Sequence, residues 1–178
     1  MNQAASKPIY VPETAQVAST MLAQLRGAHH NLRAEIANME VLTAEAELDA
    51  SRCMAGRWKI SQASLARRTL SARICDYFLT RCTLAESQDL QALREADRAM
   101  LRKSAAHVVD WTATAILADW ARYCAASRAI RAEMLKLIAR EQAVLCPLLE
   151  RSAGIHRHGN GASDGARTRD LRRDRPAL

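Results

Sequence analysis

The chain has 178 residues, of which 49% are hydrophobic and only 4% aromatic, with six glycines. This composition favours helices over sheets and is sufficient to bury a core. No apolar run approaches the ~20 residues of a membrane span, and the N-terminus lacks the apolar region of a signal peptide, so we expect a cytoplasmic protein without membrane contact. Five cysteines without a Cys-x-x-Cys pair are typical of reduced thiols.

The formal net charge of +7 is unevenly distributed along the sequence. Residues 151–178 contain seven arginines and three aspartates, so most of the excess charge lies at one end of the chain. In residues 1–150 the basic and acidic side chains are nearly equal in number. We therefore do not expect the body of the protein to bind nucleic acid, although an RNA-binding arm at the basic end remains an alternative.

Residues 1–13 contain two prolines and no periodic pattern, which predicts a flexible lead-in. The first helix is predicted from a cap at Thr14 to about Asp49. His29 lies in the middle of its apolar face, where an unpaired imidazole would cost roughly 1–3 kcal/mol, whereas His30 is rotated about 100° toward the edge. The face follows steps of three and four through Leu22, Leu25, His29, Leu32, Ile36, Met39, Thr43 and Ala46.

Three further helices are predicted after a break at Ala50–Gly56. The second runs from about Arg57 to Leu84, the third from a cap at Ser87 to about Ala113, and the fourth begins after a cap at Asp119. The stripe of the fourth helix comprises Trp120, Tyr123, Ser127, Ile130, Met134, Leu137, Glu141, Val144 and Leu148. Long helices with short connections predict an all-α, antiparallel up-down-up-down four-helix bundle over residues 14–151.

Residues 152–178 are predicted to form a disordered basic tail, because this glycine- and arginine-rich stretch has little apolar surface to bury. Its Thr-Arg-Asp-Leu-Arg-Arg-Asp-Arg-Pro ending resembles endings of bacterial proteins whose reading frame continues into a transfer-RNA gene. We therefore expect residues 152–178 to be an extension that was not selected for a function. His156 and His158 are expected to be incidental rather than metal ligands.

Two segments carry a resemblance to a known family. One is Leu25-Arg-Gly-Ala-His-His-Asn-Leu-Arg33, and the other is Leu137-Ile-Ala-Arg-Glu-Gln-Ala-Val-Leu-Cys-Pro-Leu-Leu-Glu150. Together they resemble the start and the end of the hemerythrin-like family, or HHE cation-binding domain, over about residues 15–151. That resemblance implies a four-helix bundle with two irons in its core.

The resemblance also implies that the metal site is degenerate. His29 is kept on the first helix, but Arg73 and Tyr77 stand where the second helix of the family has histidine and glutamate. Asp97 stands in the histidine position of the third helix. On the fourth helix Glu141 is kept, whereas Leu137 replaces a histidine.

This substitution pattern suggests a metal-free polar core. A guanidinium at Arg73 would neutralise the carboxylates that relatives use to bind iron. The predicted core polar network is His29, Arg73, Tyr77, Asp97 and Glu141. Two alternatives remain open: Arg73 extends to solvent with Asp97 on the surface, or the metal is retained. In the second case the ligands of a di-iron or mononuclear iron site would be His29, Asp97 and Glu141.

No phosphate-binding loop, nucleophile–base signature or zinc spacing is present in the sequence. We therefore expect a non-enzymatic bacterial protein, without a cofactor, in an interaction, sensory or ligand-binding role in which another protein could be the partner. The alternative is a hemerythrin-like iron protein that senses oxygen, nitric oxide or redox state. His107 is expected to be a boundary residue of the third helix.

Overall fold

The computed structural model describes residues 12–155, and within them the chain is all-α. Most of the predicted lead-in (1–13) and of the predicted tail (152–178, with His156 and His158) lies outside the described residues. None of the helices has the combination of length and hydropathy that a membrane crossing requires within this range. The helices are α1 (Pro12–Leu42), α2 (Ala50–Leu79), α3 (Leu84–Asp110), α4 (Ala113–Ala118) and α5 (Trp120–Ser152).

The core lies between the four long helices. Helix α1 packs against α2 and α5, and α3 packs against α5 and α2. The predicted faces of α1 and α5 are the ones that point inward, from Leu22 to Met39 on α1 and from Tyr123 to Leu148 on α5, and Thr43, directly after α1, is also buried. Ala46 is the exception, because it lies beyond the end of α1 and is exposed.

The starts of α2 and α3 differ from the predicted ones because other residues cap these helices. Helix α2 begins after Asp49, whose side chain accepts a hydrogen bond from the Arg52 backbone, so the predicted break at Ala50–Gly56 is wrong. Helix α3 begins after Thr83, which forms a reciprocal capping box with Glu86. Ser87 therefore lies inside the first turns and is not the cap.

A close contact between α1 and α2 explains one of these errors. Gly56 lies within α2, and a Cβ atom added there would come within 2.7 Å of the Met39 Cε atom. The glycine therefore accommodates a side chain of the neighbouring helix instead of ending a helix. Helix α1 ends at Leu42, seven residues earlier than predicted.

Helix α4 was not predicted, and it forms the turn between α3 and α5. Thr112 caps α4, and Asp119 caps α5 as predicted, by accepting a hydrogen bond from the Arg122 backbone. Trp111 and Trp120 flank α4, and each ring lies 5.5 Å from the ring of Tyr123. This aromatic cluster fixes one end of the helical core.

Candidate functional site

A buried ionic network lies at the centre of the core. The Nε2 atom of His29 lies 2.8 Å from Glu141 Oε2, and the Arg67 guanidinium donates a hydrogen bond to the other oxygen of Glu141. The same guanidinium donates a second hydrogen bond of 2.6 Å to Asp97 Oδ1. One residue from each of the four long helices therefore contributes to a continuous chain of polar contacts.

Burial makes this network sensitive to the loss of any member. The side chains of Glu141, His29 and Arg67 are 0%, 2% and 3% exposed, and that of Asp97 is 18% exposed. A buried charge that loses its partner is costly because water does not replace the lost contact. The Nδ1 atom of His29 is buried and has no hydrogen-bond partner within residues 12–155.

The prediction that Arg73 supplies the buried cation is wrong. Arg73 is exposed, and Arg67 lies between the two carboxylates instead. The physical reason is the helical phase of α2, because positions seven apart share a face and Arg67 lies seven residues from both Ile60 and Ile74. Arg73 is adjacent to Ile74 in sequence and is therefore rotated by about 100° from that face.

Tyr77 also lies apart from the predicted network. Its hydroxyl is buried, but it has no hydrogen-bond partner among the described residues. Its ring contacts Phe78 edge-on, and the Arg81 guanidinium lies over it at 4.5 Å. The structure therefore brings His29, Asp97 and Glu141 together and leaves Arg73 and Tyr77 outside their contacts.

A second buried arginine, which the sequence analysis missed, lies on α5. The Arg131 guanidinium donates hydrogen bonds to Ser127 Oγ (2.5 Å), Thr43 Oγ1 (2.9 Å) and Glu40 Oε2 (2.7 Å). Its hydrogen bond lowers the pKa of the Glu40 carboxyl, although desolvation opposes this effect. The Nε atom of Arg131 is buried and has no partner in the described part of the chain.

Both buried arginines line one cavity of about 510 Å³. It is lined by the middle of α2, the second half of α3 and the first half of α5, together with Met39 of α1. Its walls are mainly apolar, with Leu65, Leu101 and Val108 being 44–54% exposed at the mouth. A cavity of this volume with a few fixed polar groups has the properties of a small-molecule site.

Arg57, His107 and Tyr123 form one end of this cavity. The Arg57 guanidinium donates a 2.6 Å hydrogen bond to the Trp111 carbonyl and lies 5.7 Å from the centre of the Tyr123 ring. Burial lowers the pKa of His107, and the positive charges of Arg57 and Arg131 lower it further, while Asp110 opposes them. Burial also raises the pKa of Tyr123 to about 12, so its phenol stays neutral near pH 7.

The side chains of His29, Asp97 and Glu141 do not fit the metal site that the family resemblance implies. Glu141 is engaged by His29 and Arg67, and the Arg67 guanidinium separates Glu141 from Asp97. A divalent cation between these carboxylates would have to displace a buried positive charge. Within residues 12–155 no three His, Cys, Asp or Glu side chains converge as a metal-binding group.

The cysteines do not provide a reactive thiolate at the cavity. None of the five is in a disulfide. Desolvation raises the pKa of Cys53, Cys75 and Cys124, that of Cys75 to about 11. Such thiols stay protonated near neutral pH, so they act as small apolar side chains.

Comparisons of the chain with protein-family models, with curated proteins and with solved structures give no match.

Replacing Arg67 by alanine is expected to lower the free energy of unfolding by about 3–5 kcal/mol, because Glu141 and Asp97 then lose their shared cation. Arg73→Ala is the matched control on the same helix and should change stability by no more than about 0.5 kcal/mol. Urea unfolding followed by circular dichroism measures both. Equal effects of the two substitutions would contradict the assignment of Arg67 to the core.

His107 is expected to make the protein less stable as the pH falls below its ordinary pKa of 6.5. Its folded pKa is lower than its unfolded pKa, so the unfolded chain takes up the proton first and is favoured. Between pH 7 and pH 5 the free energy of unfolding should therefore fall more for wild type than for His107→Gln. The carboxylates are the same in both proteins, so their contributions cancel in this comparison. A pH-independent difference would show that His107 is not desolvated.

Proposed function

We propose that this chain is a non-enzymatic, metal-free helical bundle that binds a small ligand in the cavity between α2, α3 and α5. The observation that carries the proposal is the cavity itself, which combines apolar walls with two buried guanidinium groups, Arg67 and Arg131. Apolar walls contribute affinity by desolvation, and a few fixed donors contribute orientation.

We also infer that the four long helices form an antiparallel up-down-up-down bundle. The cross-helix ion pairs support this architecture, because in each helix pair the residue number rises on one helix as it falls on the other. Short connections between consecutive helices are typical of such bundles. The ion pairs are Arg26–Glu150 and Glu40–Arg131 between α1 and α5, Arg67–Asp97 and Asp76–Arg94 between α2 and α3, and Glu86–Arg151 and Lys103–Glu133 between α3 and α5.

The charged groups at the cavity favour binding over catalysis. Arg67 is held by two carboxylates, and three acceptors hold the terminal nitrogens of Arg131, so neither can move far toward a reacting group. The imidazole of His107 lines the cavity, and it stacks on Tyr123 with ring centres 5.9 Å apart. No carboxylate or thiolate nucleophile is paired with it in the described range.

The rival function is a hemerythrin-like iron protein that senses oxygen, nitric oxide or redox state. Its ligands would be His29, Asp97 and Glu141, and the position of Arg67 between the last two counts against it. Metal analysis of the full chain produced in iron-supplemented medium tests this directly. Iron present at one or two ions per chain would contradict the metal-free proposal.

The neutral fluorophore N-phenyl-1-naphthylamine should bind the full chain with a large increase in emission, because the cavity is apolar. Ser104, half-buried on α3, lines the cavity, so Ser104→Trp should fill it and weaken binding about tenfold or more. Ala106→Trp is the control, since Ala106 is exposed on the same helix outside the cavity lining.

Circular dichroism spectra and melting temperatures establish that both variants are folded. Absence of binding by the wild-type protein, or equal binding by folded Ser104→Trp and Ala106→Trp variants, would contradict the proposed ligand site.

A further inference from the structure

The two ends of the cavity differ in electrostatic character. At one end the Arg67 guanidinium is shared by Asp97 and Glu141, so two carboxylates surround one arginine. At the other end Arg131 pairs with Glu40, whose side chain is 53% exposed and therefore screened by water. Arg57 at that end has no carboxylate partner within residues 12–155. Arg68, half-buried beside Arg67, also lines the cavity, so the formal charges of Arg67, Arg68, Asp97 and Glu141 cancel at the first end. Those of Arg57, Arg131 and Glu40 leave one positive charge in excess at the other end.

Arg57 is suited to receive an anion. Within residues 12–155 its guanidinium donates hydrogen bonds to the Trp111 carbonyl and to the Met54 sulfur atom, and it lies over the Tyr123 ring. A guanidinium has five N–H donors, so several remain available after those bonds are made. A half-buried arginine that has no carboxylate partner and faces an apolar cavity favours a ligand with a negative charge.

A second buried cation, Arg131, lines the cavity near the same end. Arg131 is 97% buried, and its Nε–H has no acceptor in the described part of the chain, although its other nitrogens are all engaged. Buried donors in native proteins are almost always paired. The Nε atom is not exposed to the cavity, so an anion near Arg131 would be attracted by the charge of its guanidinium and would not accept this hydrogen bond.

We propose that the cavity binds an amphiphile with a carboxylate head and an unbranched apolar chain. The head lies near Arg57 and Arg131, and the chain extends along the apolar wall. This inference rests on the proposed ligand-binding function and adds the chemical class of the ligand and its direction in the cavity. Asp97, the acidic member of the cavity lining, repels a carboxylate from the opposite end.

The apolar part of the cavity lining suits such a chain. It consists mainly of aliphatic and thioether side chains, which adapt to a flexible hydrocarbon, and serine and glutamine side chains lie among them. The exposed apolar residues at the mouth would be partly covered by a bound chain. The aliphatic and thioether members of the lining are Met39, Ile60, Leu65, Met100, Leu101, Ala105, Val108, Val109, Ile130 and Met134.

Three ligands with the same ten-carbon chain test the proposal: decanoate, decan-1-ol and decylamine. Displacement of N-phenyl-1-naphthylamine from the full chain at pH 7.5 gives their dissociation constants. Decanoate should bind about tenfold or more tightly than decan-1-ol, as expected for a hydrogen bond to a charged group, and decylamine should bind most weakly.

The head-group position is tested with Arg57→Gln and its matched control Arg73→Gln, which removes the same charge from the exposed face of the same helix. Arg57→Gln should remove most of the preference of decanoate over decan-1-ol, while Arg73→Gln should retain it. Binding of decan-1-ol shows that the cavity of each variant is intact. Loss of the preference in both variants would mean that general electrostatic attraction, rather than Arg57, causes it.

A readout on wild-type protein avoids any effect of the substitutions. His107 is surrounded by Arg57 of α2, Asp110 of α3, and Arg131 and Tyr123 of α5. A carboxylate bound beside Arg57 should therefore raise the pKa of His107, measured from its imidazole NMR signals, while decan-1-ol should not.

The outcomes separate this inference from the function on which it rests. If the fluorophore and decan-1-ol bind but decanoate has no advantage, the ligand class is wrong and the apolar site remains. If decanoate is preferred without a change in His107, the head lies elsewhere and the proposed direction is wrong. If none of the ligands binds, both the ligand site and its assigned chemistry are overturned.

Discussion

The structure depends on one buried cation held between two carboxylates. Arg67 joins Glu141 of α5 to Asp97 of α3, and His29 of α1 completes the contacts of Glu141. Because Glu141 is fully buried, the four long helices have to meet in the register that brings these groups together. Apolar side chains elsewhere in the core would tolerate small shifts, whereas a stranded charge would not. The network therefore specifies how the helices align, in addition to any net stability that it contributes.

The two buried arginines occupy similar helical positions but differ in how their charges are neutralised. Each occupies a position in a buried stripe with a seven-residue period: Arg67 with Cys53, Ile60 and Ile74, and Arg131 with Cys124, Ile138 and Leu145. Arg67 is neutralised by buried or partly buried carboxylates, so its end of the cavity is not positive. Arg131 is neutralised by a carboxylate at the surface and keeps one donor without a partner among the residues that the structure describes. This difference gives the cavity an electrostatic direction, and Arg57 strengthens it.

Much of the helical architecture could be predicted from the sequence. The position of the buried cation could not be predicted from the family pattern. The three-four spacing on α1 and α5 correctly assigned His29 and Glu141 to the interior, because burial repeats along a helix. The family pattern predicts Arg73, which is exposed in the structure. The seven-residue step from Ile60 to Ile74 indicates Arg67 instead. Helix boundaries were predicted wrongly where a side-chain cap sets the start of a helix, or where a glycine lies inside a helix because it faces Met39. The cavity depends on the separation of α2 and α3, which no local sequence pattern encodes.

A double-mutant cycle between Arg67 and Glu141 tests the central claim most directly. The variants are Arg67→Met, Glu141→Gln and the double variant, and the free energy of unfolding is measured for each by urea denaturation at pH 7. Because the two groups are in direct contact and buried, the cycle should give a coupling energy of about 2–3 kcal/mol, so that the double variant is much more stable than the sum of the single effects implies. Additive effects, within about 0.5 kcal/mol, would show that Arg67 and Glu141 do not interact in the folded protein.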